Sequence, residues 1–191
     1  MTAIPAIASR KRNAEITRAS LLAAATKRFA REGYENASLR EIAAEAGVDV
    51  SLVSRYFGGK EELFAEVLAM TPAPLDLFEG DHATYGERVS KKLVIDPQQT
   101  KDLDCLRIML RSASSPNAAA AIRKSGEERF YGPIARWLGG PHAEIRARLV
   151  ADIIKGVTID RLISDDFGLD AAGREQLRAR LARMLQSAID V

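Results

Sequence analysis

Residues able to do covalent or metal chemistry are few in this chain, and none stands where such chemistry needs it. There are two histidines, His82 and His142, and a single cysteine, Cys105. Neither histidine belongs to an HxxxH or HxxE arrangement, the spacings that bring two ligands, or a ligand and a base, onto one face of a helix. No base lies near Cys105 in sequence to draw off its proton. Glu127 and Glu128 are adjacent, so on a helix they point to different parts of its surface and solvate it rather than share a proton. The pattern argues against an enzyme, and neither a metal nor a cofactor is expected.

A denser set of residues offers a different chemistry. Ser51, Ser54, Arg55, Tyr56 and Lys60 gather hydroxyls and cations within a short stretch, and such groups donate to the phosphate oxygens of a nucleic acid. Lys60 opens a predicted helix, where its ammonium, the free backbone amides and the positive end of the helix dipole all favour an anion. Ser38 and Arg40 can add backbone contacts from the preceding helix, the alternative for Arg40 being a solvated helix face. Arg12, with Arg10 and Lys11, forms a short basic arm able to follow a groove. Val50 and Leu52 are apolar, so they either meet thymine methyls or pack, and hydrogen bonds to bases fall to Ser51 and Arg55.

Positioning these side chains takes short helices at a fixed angle. From Asn13 to Arg31, Ile16, Ala19, Leu22, Ala23, Phe29 and Ala30 recur at three- and four-residue steps, which places them on one helical face that Gly33 ends. Ser38-Leu39-Arg40-Glu41 reads as a capping box, with the serine hydroxyl on a free amide and the glutamate reaching back. The helix it opens turns Leu39, Ile42, Ala43 and Ala46 inward and stops at Gly47, a residue able to take a left-handed turn. Asp49 at a cap position starts a second short helix through Phe57, closed by Gly58-Gly59. Lys60 begins the next helix, which Pro72 and Pro74 terminate. Two short helices around a glycine turn form the helix-turn-helix unit that offers its second helix to a major groove.

Composition agrees with an all-α chain. Aromatics make up only 6% of a sequence rich in alanine, leucine and arginine, a balance that favours helices. Beyond Pro74, helical patterns fall at 83 to 94, 98 to 114, 117 to 139, 142 to 164 and 171 to 189, with Pro133 expected to kink or split the third. The net charge of +2 sits in the N-terminal third: residues 1 to 64 carry 10 Lys/Arg against 8 Asp/Glu, whereas residues 65 to 191 carry 18 of each. A lone cysteine excludes an intrachain disulfide and suits a reducing cytoplasm. The cluster Arg10-Lys11-Arg12 follows the mildly apolar first residues instead of preceding them, the reverse of a secretory signal. No apolar run approaches the roughly 18 residues a spanning helix needs, so a cytoplasmic protein with no membrane partner is expected.

At this point a family resemblance becomes specific. Phe29, Glu32-Gly33-Tyr34, Ser38-Leu39, Ile42-Ala43, Ala46-Gly47-Val48, Tyr56-Phe57 and Lys60-Glu61-Glu62-Leu63 together resemble the signature of the tetracycline-repressor (TetR) family, over about 50 residues. The resemblance implies a repressor with about nine helices per subunit, working as an Ω-shaped homodimer on a palindromic double-stranded DNA operator. It implies a helix-turn-helix domain over residues 10 to 64 and a ligand-binding and dimerisation domain over residues 65 to 191. The chain departs from the family at Ser54, often tyrosine there, and at Gly59, commonly serine.

The resemblance also implies release by an unknown small-molecule effector bound among the later helices, which acts only by preferring one head spacing over another. Leu103, Leu106, Met109, Leu110, Phe130, Ile134 and Trp137 are candidate lining, with ordinary core as the alternative for each. Ile145, Leu149, Ile153, Gly156 and Ile163 on one helix, and Leu177, Leu181, Met184 and Ala188 on the next, form apolar stripes suited to a four-helix dimer seam or to closing the monomer's own core. A helical interaction module without DNA binding is the remaining rival, and it predicts loss of the cations and hydroxyls that are present here.

Overall fold

A computed structural model describes residues 4–70, 75–97 and 103–190, with side-chain surroundings from residue 12 onward and Leu75 excepted. Among the described residues the chain forms no strand. Its helices are α1 (Ile4–Asn36), α2 (Leu39–Glu45), α3 (Ser51–Phe57), α4 (Lys60–Met70), α5 (Tyr85–Val94), α6 (Asp104–Ser112), α7 (Pro116–Gly126), α8 (Gly132–Leu138), α9 (Ala143–Ile163) and α10 (Ala171–Ile189). Short 3-10 turns occupy Leu75–Phe78, His82–Thr84 and Asp166–Gly168. A wider π turn, Glu127–Tyr131, carries α7 into α8 without a break, so the described residues hold nine rods.

Pro133 accounts for that π turn. It has no N–H to give, and its ring crowds the turn before it. The helix responds by widening rather than breaking, and the Gly132 amide donates to the carbonyl of Glu127, five residues back. The expected kink is therefore a bulge inside a continuous rod. α1 starts earlier than its apolar repeat suggested; the side chains of Arg10 and Lys11, and residues 98 to 102 of the pattern at 98 to 114, lie outside the described residues.

The chain packs as two compact units, Met1–Pro72 with Arg107–Ser125, and Ala73–Leu106 with Gly126–Val191. In the first, Leu21, Phe29, Ile42, Val53, Leu63 and Phe64 are fully buried, joined by Ile108 and Ala118 from α6 and α7. Phe64 meets the rings of Phe29 and Tyr34 edge-on, each at 5.0 Å, and burying a side chain of this size stabilises by about 2 to 3 kcal/mol. Gly33 ends the helical part of α1 at φ 76 and lies so close to Arg111 that a Cβ there would overlap its carbonyl oxygen. The Tyr34 amide then donates to the Ser112 hydroxyl at 3.0 Å.

In the second unit α5 and α10 pack backbone to backbone. A Cβ on Gly86 would overlap the Ala182 carbonyl oxygen, and the Gly86 amide donates to the Gln186 side chain at 3.1 Å. Tyr85, Ile134, Ala147, Val150 and Leu185 are fully buried around this contact. The corner between α9 and α10 is built from Asp165, Asp166, Phe167 and Gly168, all at positive φ (44, 55, 66 and 61). Three non-glycine residues in that region cost energy. Arg161 at 3.1 Å and Arg174 at 2.6 Å hold the corner by pairing with the Asp166 carboxylate.

Candidate nucleic-acid interface

The turn between α2 and α3 follows from a handful of backbone bonds. Gly47 takes φ 70, and the Val48 amide donates to the Ala43 carbonyl at 2.9 Å, folding the chain back over the end of α2. Asp49 then starts α3: its carboxylate accepts from the Ser51 amide at 2.8 Å. The Ser51 hydroxyl and that amide hold the Asp49 carboxyl below its usual pKa. Gly58 ends α3 at φ 95. Val53 and Phe57 are buried in the head core, while Val50, Ser51, Ser54 and Arg55 are exposed. Leu52 and Tyr56 are half-buried and pack against the same core, so α3 has an anchored face and a free polar face.

The capping box expected at Ser38 does not form. Ser38 holds the extended N-cap conformation, but its side chain makes no cap bond. Glu41 is drawn elsewhere, to Arg28 at 3.3 Å, and Arg28 also binds Glu32 at 2.9 Å and Glu45 at 3.0 Å. This cluster of one cation and three carboxylates ties α1 to α2, and its Glu45 and Glu32 partners hold the guanidinium pKa above its usual value. Sequence reasoning missed it, although the i,i+4 spacing of Arg28 and Glu32 was a signal. A second clamp is Arg18, which pairs with Glu66 and lies 5.0 Å over the Phe57 ring.

Lys60 is partly committed within the head. Its ammonium sits 4.7 Å from the centre of the Tyr34 ring and donates to the Glu35 carbonyl at 3.2 Å. Burial lowers its pKa, against the pull of Glu35. It still stands at the first residue of α4, directly after the Gly58-Gly59 end of α3. Arg12 and Arg40 are exposed and Ser38 is half-buried.

The residues expected to line a ligand cavity belong to both units. Leu103 and Leu106 are buried, Met109 packs on the head core, and Phe130, Ile134 and Trp137 belong to the core of the second unit. Leu110 is exposed, while Ile108 of the same helix is fully buried. The seam candidates also divide. Leu181 and Ala188 are buried in the monomer's own core, whereas Ile145 (68%), Leu149 (50%), Ile163 (76%) and Met184 (57%) remain exposed. Ile153 and Leu177 are half-buried and Gly156 is open. Leu149 and Met184 share a groove with Ile153 and Ala188, flanked by Arg183 and Ser187, so α9 and α10 present a largely apolar groove between them.

An all-helical chain with a free-faced second helix after a glycine turn is the architecture of a helix-turn-helix DNA-binding regulator. The profile "Bacterial regulatory proteins, tetR family" matches residues 21–67, and "Tetracyclin repressor-like, C-terminal domain" matches residues 83–189. The chain belongs to the TetR family and is a DNA-binding transcriptional regulator. It is 30% identical to the HTH-type transcriptional repressor Rv3405c of Mycobacterium tuberculosis, over 91% of this chain and 97% of that protein. It is 46% identical to the HTH-type transcriptional repressor SCO4008 of Streptomyces coelicolor, over 57 residues that make up 30% of each chain. Among solved structures, the TetR-family regulator SCO0857 of Streptomyces coelicolor matches at TM-score 0.53 and 28% identity, covering 92% of this chain and 95% of that one. NalD of Pseudomonas aeruginosa, the secondary repressor of the MexAB-OprM efflux pump, shares the fold at TM-score 0.66 and 23% identity, covering 91% of this chain and 97% of that one.

Proposed function

We propose that the protein is a cytoplasmic, homodimeric repressor that grips a near-palindromic operator through the free face of α3 and releases it when a small-molecule effector binds. The observation that carries this reading is the two-sidedness of α3: Val53 and Phe57 anchor it, leaving Ser51, Ser54 and Arg55 exposed beside Val50. In this reading residues 10 to 64 read DNA and residues 65 to 191 bind the effector and dimerise. Ser51 and Arg55 reach base edges. Arg12, Ser38, Arg40, Ser54, Tyr56 and Lys60 reach the backbone, Val50 meets thymine methyls, and Leu52 mainly packs. The exposed residues Ile145, Leu149, Ile163 and Met184 form the seam, because an apolar surface of this kind is costly to leave in water.

The test is DNA selection from genomic fragments with purified protein, followed by titration of the selected fragment at several salt concentrations. A regulator of this kind binds steeply more weakly as salt rises and selects fragments with two related half-sites. Failure to bind any fragment at low salt would favour the interaction-module alternative. Sedimentation of the free protein checks the dimer.

A further inference from the structure

Helices α9 and α10 each turn one face away from the core of the second unit, and the two faces carry opposite charge. On α9, Ile145, Leu149, Asp152, Gly156, Asp160 and Ile163 follow one another at steps of three and four and are all exposed, so they form a single stripe. The ionised groups of that stripe are acids. On α10 the outward stripe is Gln176, Arg180, Arg183, Met184 and Ser187, again exposed throughout, and its ionised groups are bases. The groove between the helices takes Leu149 and Ile153 from α9 and Arg183 and Met184 from α10. Arg183 therefore stands level with the turn of α9 that carries Asp152.

These charges are answered differently from their neighbours. Arg148, Arg161, Arg174 and Arg178, on the same two helices, each pair with a carboxylate of their own chain. Arg180 and Arg183 have no such partner among the described residues. Asp152 accepts from the Lys155 ammonium at 2.7 Å, yet its side chain stays 64% exposed. Lys155 is held back by a second bond, which it donates to the Tyr131 hydroxyl at 2.7 Å. Asp160 accepts from the Ser164 hydroxyl at 2.8 Å and is also exposed.

We propose that a second copy of the chain covers this face crosswise, with α9 of one subunit against α10 of the other, and that Asp152 pairs with Arg183 of the partner subunit. The proposal rests on the reading of α9 and α10 as the dimer seam, and adds the rule by which the seam selects its partner. A two-fold axis makes every such contact twice. With α9 laid on α9, Asp152 and Asp160 would meet acids alone, and like charges brought together in an interface are costly. The crosswise arrangement sets acid on base on both sides of the axis, around the apolar residues of the same stripes. It also discriminates, because a related chain of the same fold with its charges placed otherwise brings repulsion to the seam.

The test is sedimentation equilibrium of the full-length protein, free of DNA. The parent is compared with Asp152→Arg, with Arg183→Asp, with the double variant, and with an equimolar mixture of the single variants equilibrated together. Each single variant dissociates at least about tenfold more readily than the parent, since repulsion replaces attraction at both symmetry-related contacts. The double variant returns to within about threefold of the parent, because reversing both charges restores the pair. The mixture forms a heterodimer as tight as the parent, one chain supplying arginine at both positions and the other aspartate. Asp152→Asn loosens the parent dimer, whereas a seam with α9 on α9 would tighten. Circular dichroism checks that every variant keeps its helices. A mixture no tighter than its components, a double variant as weak as either single one, or tightening by Asp152→Asn overturns the crosswise pairing and leaves the dimer standing. A parent that sediments as a monomer at every concentration overturns both, and gives the face to a different protein.

Discussion

The two units bury their side chains in different ways. The head, the first unit, closes its aromatic trio of Phe29, Tyr34 and Phe64 among aliphatic neighbours, and the Tyr34 amide is paired with the Ser112 hydroxyl. The buried side-chain atoms without partners among the described residues, on Tyr85, Arg88 and Arg146, all belong to the second unit. Their surfaces differ in the opposite sense: α3 offers hydroxyls and a cation to solvent, while α9 and α10 leave large apolar residues there. A part that must hold one helix at a fixed angle gains from a fully satisfied core. The second unit, proposed to meet a ligand and a second subunit, keeps unpartnered donors and uncovered apolar area among the described residues.

That contrast is open to direct attack. The largest effect is expected from Phe29→Ala, which opens a cavity in the core of the first unit and costs about 3 to 5 kcal/mol by chemical denaturation, while Tyr85→Phe in the other core costs nothing. Equal losses at the two sites would erase the distinction. Gly86→Ala comes next: a methyl against the Ala182 carbonyl pushes α5 off α10 and costs about 1 to 3 kcal/mol, again read by denaturation. Leu149→Asp then tests the uncovered surface. Placing a charge in the proposed seam weakens the proposed dimer about 30-fold or more in sedimentation, with the melting of the monomer nearly unchanged because Leu149 is half exposed.

Smaller effects sharpen the head's side of the comparison. Lys60→Ala lowers affinity for every DNA sequence and reduces the salt slope by about one, whereas Ser51→Ala alters the preference among sequences; operator titrations at several salt concentrations separate the two. The smallest effect is a pH dependence. The folded pKa of Asp49 lies below its unfolded value, so its contribution to α3 is intact above the unfolded pKa and disappears as pH falls through the folded one. Protection of the Ser51 and Leu52 amides relative to their intrinsic exchange is accordingly constant around neutrality and falls only in that acid window.

Much of the head could be read from the sequence because its signals are local. Gly47, Asp49 and Gly58 each fix a turn through their own backbone or side chain; Gly58 marks the end of α3, while the N-cap falls on Val50, one residue after Asp49. Ser38 shows the limit of local reasoning: the box spacing is present, but Glu41 gains more from Arg28, which approaches from another helix. Leu181 and Ala188 continue an apolar stripe that periodicity cannot divide between the inside of one subunit and the seam of two. Leu110 and Ile108 both belong to the apolar part of α6, and only its neighbours decide that Ile108 is the one fully buried. The unanswered donors of Tyr85 and Arg88 left no trace in the sequence, because lacking a partner is a property of everything that folds around a residue.

The left-handed corner at Asp165 to Gly168 has a consequence for the apolar surface beside it. An α-helix turns about 100° per residue, so the length of this corner sets which side of α10 looks the same way as Leu149 on α9. Adding or removing one residue there would swing Met184 away from its groove and bring a neighbouring flank of the helix into its place, with every side chain of both helices still chemically intact. The pairing of Asp166 with Arg161 and Arg174 thus works as a phase lock, and the proposed meeting of two subunits depends on its tooth count as much as on the grease between them.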